Sequence, residues 1–310
     1  MAPSNSSNIL AELSSRLSAA VEQTAKHVVA IHARRRIPSS GVIWRDGIIV
    51  SASHTVRRDG EVRVRLPSGD DIVANVAGRD ATTDLVVLRA ADAKLDPAPR
   101  ADTSASAVGS IVLAIGRPGR NVTASFGIVS AELEGWRTGS GARIDGLLRL
   151  DLAVYDGFSG GPLVAASGGV IGINNSAFAR GGASALPASV VDTVVDELLA
   201  KGHIRRPFIG VGVHPVSLGS ALVKRQNLPN DVALLVVSIA DGEAADAAGV
   251  LLGDLLIAVD GRALTRPSDL VDALSSVGEG GSMRATVLRG GVPQEITIQP
   301  RDRDREGAAA

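Results

Sequence analysis

Short apolar runs separated by turn-forming residues dominate the chain from residue 41 to residue 173. The runs are rich in valine, isoleucine and leucine, and no helical pattern lies between them. Such a succession of short strands is typical of a β-barrel or a β-sandwich. Because aromatic residues make up only 2% of the sequence, we expect a core of branched aliphatic side chains, which favour strands.

Helical patterns flank this region. Apolar residues between Asn8 and Ala25 recur at helical spacing, which predicts one amphipathic helix. A second helical run, from Ala188 to Lys201, is followed by Gly202, a residue type that commonly ends helices.

A different pattern begins near Phe208. Strand-like runs alternate there with two helical runs, Glu243–Ala248 and Ser268–Val277, each followed by a glycine. The last ten residues alternate arginine with aspartate and end in alanines, which leaves nothing apolar to bury. We therefore predict a helical segment at 1–25, a first domain at 26–202, a linker at 203–206, a second domain at 207–300 and a disordered tail at 301–310.

The segment Gly157-Phe158-Ser159-Gly160-Gly161-Pro162 carries the strongest chemical signal. A nucleophilic serine needs a hydroxyl beside a backbone that turns sharply enough to direct amides at an oxyanion, and flanking glycines permit this turn. The alternative interpretation is an ordinary glycine-rich loop between two strands.

A histidine and an aspartate strengthen the catalytic interpretation. His54 follows a strand-like run, and Asp84 begins another. Taken singly, such a histidine is more often an ordinary core or surface residue, and such an aspartate is more often a turn residue. The order His54, Asp84, Ser159 is the order used by double-barrel acyl-transfer proteases, so we predict a catalytic triad.

Several further segments resemble the HtrA family of trypsin-like serine proteases. The family's Thr-Asp-Leu-Ala-Val-Leu stretch corresponds to Thr83–Leu88, and its Gly-Ile-Val-Ser-Ala segment is intact at Gly127–Ala131. Its Val-Ile-Gly-Ile-Asn strand is intact at Val170–Asn174, and its Ala-Ile-Gly-Asn-Pro segment appears as Ala114–Pro118, with Arg117 in place of the asparagine. The resemblance covers nearly all of residues 8–300.

The resemblance implies a mainly β fold. We expect a trypsin-like double six-stranded β-barrel followed by a PDZ domain, which is a partly open β-barrel with two helices. The resemblance also implies that Ser159 is the nucleophile, that His54 is the general base and then acid, and that Asp84 orients His54. The backbone N–H groups of Gly157 and Ser159 would form the oxyanion hole.

Substrate preference is implied by the same pattern. The residue six positions before the serine lies at the base of the trypsin specificity pocket, and here it is Ala153, so no carboxylate awaits an arginine or lysine side chain. Asn174, Asn175, Ser176 and Ala177 are expected to line another wall. We therefore predict cleavage after small or medium apolar residues.

The segment Arg206–Val211 resembles the family's Arg-x-Tyr-Leu-Gly-Val, the carboxylate-binding loop of a PDZ domain. Successive backbone N–H groups in such a loop can capture the C-terminal carboxylate of a peptide, which then pairs as an added strand beside a helix. The alternative is an ordinary strand start with a buried phenylalanine. The predicted peptide-binding residues are Phe208, Ile209, Gly210, Val211, Leu270, Ala273 and Leu274.

Composition and charge argue against several other classes. The net charge of −1 gives no reason to expect nucleic acid as a partner, and the absence of cysteine excludes disulfides and cysteine-ligated metals. No apolar run approaches the ~20 residues of a transmembrane helix, and the start lacks a signal-peptide pattern. We therefore expect a cytoplasmic protein, or a periplasmic one if the true start lies upstream. No metal site and no cofactor are predicted, because no ligand cluster is formed by His27, His32, His203 and His214.

These features predict a serine endopeptidase that degrades unfolded or damaged proteins and is regulated by C-terminal peptides at the PDZ groove. Two alternatives stay open. In one, the bulky Phe158 disables the oxyanion loop and the chain acts as a PDZ peptide-binding chaperone or scaffold. In the other, the chain is a sensor that cleaves one dedicated partner. Family members are usually trimers built through N-terminal aromatic residues, but no aromatic residue precedes Trp44, so a homo-oligomer is only an open expectation.

Overall fold

The chain begins with a helix, α1 (Asn5–Ala25), and continues into two closed barrels of six antiparallel strands each. The computed structural model describes residues 5–34, 37–57, 59–91, 93–101, 106–137, 143–178, 182–204 and 206–302. Contacts divide the described chain after Ile204 into two units. The two barrels and α1 belong to the first unit, and they confirm the predicted double six-stranded barrel.

The first barrel is built from β1 (Val28–His32), β2 (Ser39–Arg45), β3 (Ile48–Ala52), β4 (Glu61–Arg65), β5 (Asp71–Asp80) and β6 (Leu85–Arg89). The strands follow the order β1-β2-β3-β6-β5-β4, and pairing of β1 with β4 closes the barrel. A short 3₁₀ helix (Ser53–Thr55) follows β3. Aliphatic side chains such as Val29, Ile49 and Leu88 fill the interior, as the low aromatic content predicts.

The second barrel is built from β7 (Ile111–Gly116), β8 (Thr123–Arg137), β9 (Arg143–Asp151), β10 (Pro162–Ala165), β11 (Val170–Asn174) and β12 (Ala183–Pro187). Its strand order is β10-β11-β12-β9-β8-β7, and β7 pairs with β10 to close it. The sequence pattern did not predict β12, because Ala-Ser-Ala-Leu-Pro contains no β-branched or aromatic residue.

The predicted helix α2 (Ala188–Lys201) is confirmed. It belongs to the first unit and packs on barrel residues of that unit through Val191, Val194, Val195 and Leu198. It ends at Gly202, whose φ of +75° is the left-handed conformation typical of helix ends. Asp192 accepts a 2.8 Å hydrogen bond from the Trp44 indole, and the Arg100 guanidinium stacks 3.3 Å from the centre of that ring.

The second unit is a mainly antiparallel sheet with three helices. Its elements are β13 (Pro207–Phe208), β14 (Val211–Ser217), α3 (Ser220–Gln226), β15 (Val232–Ile239), α4 (Ala244–Ala247), β16 (Leu255–Val259), β17 (Arg262–Ala263), α5 (Pro267–Ser276), β18 (Met283–Arg289), β19 (Val292–Ile298) and β20 (Arg301–Asp302). The sheet order is β14-β15-β16-β18-β19, with β17 on β16. Helices α4 and α5 were predicted, whereas α3 was not.

The predicted tail begins two residues too early. Arg301 and Asp302 form β20, which pairs with β13, and the Asp302 carboxylate accepts a hydrogen bond from the Arg206 N–H. The second unit therefore extends through Asp302, and the rest of the predicted tail lies outside the described residues.

A buried carboxylate fixes one turn of the second unit. Asp254 is 2% exposed and accepts hydrogen bonds from the Leu251 N–H and from two nitrogens of Arg289, at 2.8–2.9 Å. Burial alone would raise the pKa of the Asp254 carboxyl, but these hydrogen bonds lower the pKa below its ordinary value of 3.8. The stabilisation is therefore present above about pH 3.8 and is lost as the pH falls below that value.

Replacing this carboxylate should loosen the second unit. In Asp254→Ala the Leu251 N–H and the Arg289 guanidinium both lose their acceptor, so we expect a destabilisation of about 1–3 kcal/mol. Hydrogen exchange of the full chain at neutral pH should show faster exchange in β16 and β18 and unchanged exchange in β1–β6. Asp241→Ala, at an exposed aspartate, is the control. Equal exchange in the two variants would contradict this account.

Candidate active site

Adjacent strands of the first barrel bring His54 and Asp84 together. His54 lies in the 3₁₀ turn that follows β3, and Asp84 immediately precedes β6. These two strands pair up to Ala52 opposite Leu85, so the ends of the strands are neighbours. The Ser53 N–H donates to the Asp84 carbonyl at 2.7 Å, which continues the pairing into the site.

The Asp84 carboxylate orients His54 through two hydrogen bonds. His54 Nδ1 lies 2.5 Å from Asp84 Oδ2, and the His54 backbone N–H donates to Oδ1 at 2.7 Å. An ionised carboxylate only accepts hydrogen bonds, so a neutral His54 imidazole beside it donates from Nδ1 and leaves a lone pair on Nε2. This is the tautomer that a general base requires.

A third donor to Asp84 comes from the second barrel. Asn175, which follows β11, donates from Nδ2 to Asp84 Oδ2 at 3.0 Å and is 1% exposed. The neighbouring Asn174 is fully buried and donates to the Pro162 carbonyl. Both asparagine side chains therefore point into the protein, and the prediction that they line a specificity pocket was wrong. In the sequence, the only indication of a role for Asn175 is that a polar residue directly follows a strand of buried residues.

Two successive tight turns carry Ser159. The Phe158 N–H donates to the Tyr155 carbonyl at 3.0 Å, and the Gly161 N–H donates to the Phe158 carbonyl at 2.9 Å. The third residues of these turns, Gly157 and Gly160, have φ of +89° and +86°. This is the type II pattern, which requires a positive φ at the third position and therefore favours glycine.

The backbone of these turns leaves two donors available. Neither the Gly157 N–H nor the Ser159 N–H donates to any acceptor among the described residues. At Gly157 a side chain would be strained by the positive φ and would lie 2.6 Å from the Pro118 side chain. The predicted oxyanion donors are thus present on a backbone that only glycine fits.

The bulky Phe158 is accommodated inside the protein. Its side chain is 1% exposed and meets the Tyr155 ring edge-to-face at 5.5 Å. A Cβ atom at Gly116 would lie 2.7 Å from the Phe158 ring, so this glycine provides the space that the ring occupies. Burial of such a ring stabilises the turn by about 1.5–3 kcal/mol.

The Ser159 hydroxyl bonds to a different serine. Ser159 Oγ lies 2.9 Å from Ser176 Oγ, and no hydrogen bond joins it to the described His54 imidazole. Such bonds are often long in ligand-free enzymes and shorten when substrate binds. Ser176 therefore competes with His54 for the Ser159 hydroxyl. Of the other predicted pocket residues, Ala153 and Ala177 are exposed.

The second unit has an edge strand beside a helix. Strand β14 pairs with β15 on one side, no described strand pairs with its other side, and α5 contacts it. Gly210, immediately before β14, has a φ of +78°. Phe208 and Val211 are partly exposed. Ile209, Leu270, Ala273 and Leu274 are 3–6% exposed and belong to the core of this unit, so they can supply only the floor of a groove.

Comparison with known proteins agrees with this geometry. Residues 39–173 match the model of the trypsin-like peptidase domain, and residues 207–299 match that of the PDZ domain. The "Serine protease Do-like HtrA" of Lactobacillus helveticus is 35% identical over 282 residues, which cover 84% of this chain and 67% of the relative. The chain belongs to the HtrA family of serine proteases.

Other HtrA-family relatives are longer. A protein of Brucella suis biovar 1 (strain 1330), named as a periplasmic DegP-like serine endoprotease, is 34% identical over 290 residues. The match covers 89% of this chain, and this chain spans only 56% of that relative.

Solved structures of the family share the fold. The HtrA-type protease AlgW with a tripeptide has 26% identity and a TM-score of 0.67, over 92% of this chain and 96% of that one. The serine endoprotease from Yersinia pestis has 26% identity and a TM-score of 0.70, over 92% and 97%. In the part of this HtrA-family chain that the structure describes, no helix is long and apolar enough to cross a membrane, and no acidic, histidine or cysteine cluster suits a metal.

Removing the Ser176 hydroxyl should free the Ser159 hydroxyl. In Ser176→Ala we expect labelling by a fluorophosphonate probe to accelerate about two- to tenfold, the effect of losing a competing hydrogen bond worth about 0.5–1.5 kcal/mol. Labelling rates at equal probe concentration measure this. Ser167→Ala, at an exposed serine, should label at the wild-type rate. Slower labelling of Ser176→Ala would show that this hydroxyl supports the nucleophile instead.

Proposed function

We propose that this chain is a serine endopeptidase with Ser159 as nucleophile, His54 as general base and acid, and Asp84 as the group that orients His54. One observation carries the proposal: the Asp84 carboxylate holds His54 through both Nδ1 and the backbone N–H, in the same unit as Ser159, where the N–H groups of Gly157 and Ser159 donate to no described acceptor.

The mechanism follows from the roles of these atoms. Ser159 Oγ rotates away from Ser176 and attacks the substrate carbonyl carbon while His54 Nε2 takes its proton. Asp84 stabilises the imidazolium, and the N–H groups of Gly157 and Ser159 donate to the developing oxyanion. His54 then protonates the leaving amine, which breaks the C–N bond and leaves an acyl ester. Water, deprotonated by His54, adds to the ester carbonyl carbon, and His54 then returns the proton to Ser159 Oγ as the ester C–O bond breaks and the acid product leaves.

The buried position of Phe158 favours this proposal over an inactive chaperone or scaffold. The scaffold alternative requires Phe158 to distort the turn, whereas its ring packs in the core and Gly157 keeps the positive φ of a type II turn. A sensor with one dedicated substrate would use the same chemistry, so substrate profiling must distinguish it from a general degrader.

The substrates and partners follow from the two units. We propose that residues 26–202 form the protease domain, which degrades unfolded or damaged proteins after small or medium apolar residues because Ala153 brings no charge. Residues 207–302 would form a PDZ domain that binds C-terminal peptides along β14. Homo-oligomerisation and a cytoplasmic location stay predictions. Light scattering measures the oligomeric state, and cell fractionation measures the location. The name of the Brucella relative describes that protein as periplasmic.

Activity should depend on Ser159. We expect wild-type protein to degrade unfolded casein and to react with a fluorophosphonate, and Ser159→Ala to lose both by a factor of at least about 10³. Mass spectrometry of the casein fragments should show cleavage after valine, alanine or leucine. Wild-type protein that does neither, with peptide ligands present, would favour the scaffold, and cleavage after lysine or arginine would refute the proposed specificity.

Peptide binding should depend on a free carboxylate. We expect a fluorescent peptide that ends in valine to bind the full chain, and amidation of its terminus to weaken binding at least about tenfold, because the loop N–H groups then lose a charged acceptor. Ser159→Ala protein avoids cleavage of the peptide during titration. Equal affinity of the acid and the amide would argue against carboxylate capture.

A further inference from the structure

One peptide unit lies between the two oxyanion donors. The Gly157 N–H belongs to the peptide unit before Gly157, and the Ser159 N–H belongs to the unit after Phe158. The unit that joins Gly157 to Phe158 separates them, so its orientation decides whether both donors can point at one oxygen. Both of its polar groups are bonded: its N–H donates to the Tyr155 carbonyl at 3.0 Å, and its carbonyl accepts from Ser40 Oγ at 2.6 Å.

Ser40 is itself fixed by three neighbours. Its side-chain oxygen accepts the Arg117 backbone N–H at 2.7 Å, and its backbone carbonyl accepts Ser51 Oγ at 2.7 Å. Ser40 is fully buried. The Gly161 backbone approaches Ser40 closely, since a Cβ atom at Gly161 would lie 3.2 Å from the Ser40 side chain. A hydroxyl that donates one bond and accepts another has a single orientation of its proton.

The Arg117 side chain reaches the end of helix α1. Its guanidinium donates to the carbonyls of Ala25, Val28 and Arg120 at 2.7–2.9 Å, and Ala25 is the last residue of α1. Arg117 is 7% exposed, and burial lowers the pKa of its guanidinium, although arginine remains charged in proteins. No described carboxylate pairs with it. A cation at a helix C-terminus complements the helix dipole and satisfies a carbonyl that lacks a partner within the helix.

We propose that Ser40 is a positioning residue for the oxyanion hole and that Arg117 couples this hole to the C-terminal end of α1. The proposal rests on the proposed protease function. Ser40 Oγ holds the Gly157–Phe158 peptide unit, and the Arg117 backbone holds Ser40 Oγ. The Arg117 side chain bonds to the last residue of α1. The docking of this helix and the alignment of the two oxyanion N–H groups therefore both depend on Arg117.

A neighbouring serine provides a matched control. Ser39 precedes Ser40 on β2 and is equally buried, but its Oγ has no hydrogen-bond partner. We expect Ser40→Ala to lower the fluorophosphonate labelling rate and kcat by at least about tenfold, a fraction of the 10²–10³ that loss of an oxyanion donor costs. KM should stay within about twofold. Ser39→Ala should retain wild-type kinetics.

A transition-state analogue separates positioning from folding. A peptide boronate forms a tetrahedral adduct that uses the oxyanion hole, so its affinity for Ser40→Ala should fall at least about tenfold relative to Ser39→Ala when both are measured well below their melting temperatures, where each variant is folded. If Ser40→Ala does not fold, Ser40→Cys, whose thiol is a weak donor, should show the same selective loss of boronate affinity.

A pair of arginine variants tests the coupling to α1. Arg117→Met removes the three side-chain donors and keeps the backbone N–H, so labelling should slow at least about threefold and hydrogen exchange in residues 17–25 should accelerate. Arg120→Met, at an exposed arginine, should change neither. Faster exchange in α1 with wild-type labelling would overturn the coupling.

The outcomes also separate this proposal from the proposed function. Wild-type protein that neither labels nor cleaves would overturn both. Wild-type protein that labels, with Ser40→Ala and Ser39→Ala reacting at equal rates, would overturn the positioning role of Ser40 and leave the protease function intact. Equal loss of boronate affinity and of substrate binding in Ser40→Ala would assign it a merely structural role.

Discussion

The buried carboxylate of Asp84 is the group on which the candidate active site depends. An ionised carboxylate that is only 7% exposed is strongly unfavourable unless hydrogen bonds replace water. Two donors come from His54 in the first barrel, and one comes from Asn175 in the second. Because neither barrel supplies all of these donors, the carboxylate is satisfied only when both barrels have formed and packed together.

The backbone of Asp84 is constrained as strongly as its side chain. Its φ of +53° lies in the left-handed region, which aspartate tolerates better than most residues. The preceding turn is held by Asp80, which is fully buried and accepts hydrogen bonds from the N–H groups of Thr82 and Thr83 and from the Thr83 hydroxyl. The Asp80 carboxylate thus fixes the turn that positions the Asp84 carboxylate.

Part of the fold and of the candidate active site could be predicted from the sequence, and part could not. The barrel strands follow from apolar runs and turns, and the order of His54, Asp84 and Ser159 follows from a pattern that recurs in proteases. The role of Asn175 depends on where the end of β11 meets Asp84, a long-range contact that no local pattern encodes. The groove side of α5 stays a prediction for a related reason: Leu270 and Leu274 repeat at helical spacing, but the same spacing suits a helix face buried in the core, where both residues lie.

The substitution of Arg117 for the asparagine of the family pattern illustrates how a local departure acquires a distant effect. An asparagine side chain is too short to reach the carbonyls of Ala25 and Arg120 together, whereas the five donors of a guanidinium can bond several carbonyls at once. Hydrogen bonds from a charged donor are roughly twice as strong as neutral ones, and leaving a buried carbonyl unpaired costs about 1–3 kcal/mol. The Arg117 side chain therefore makes the end of α1 part of the structure that holds Ser40, and through Ser40 it constrains the turn that carries Ser159.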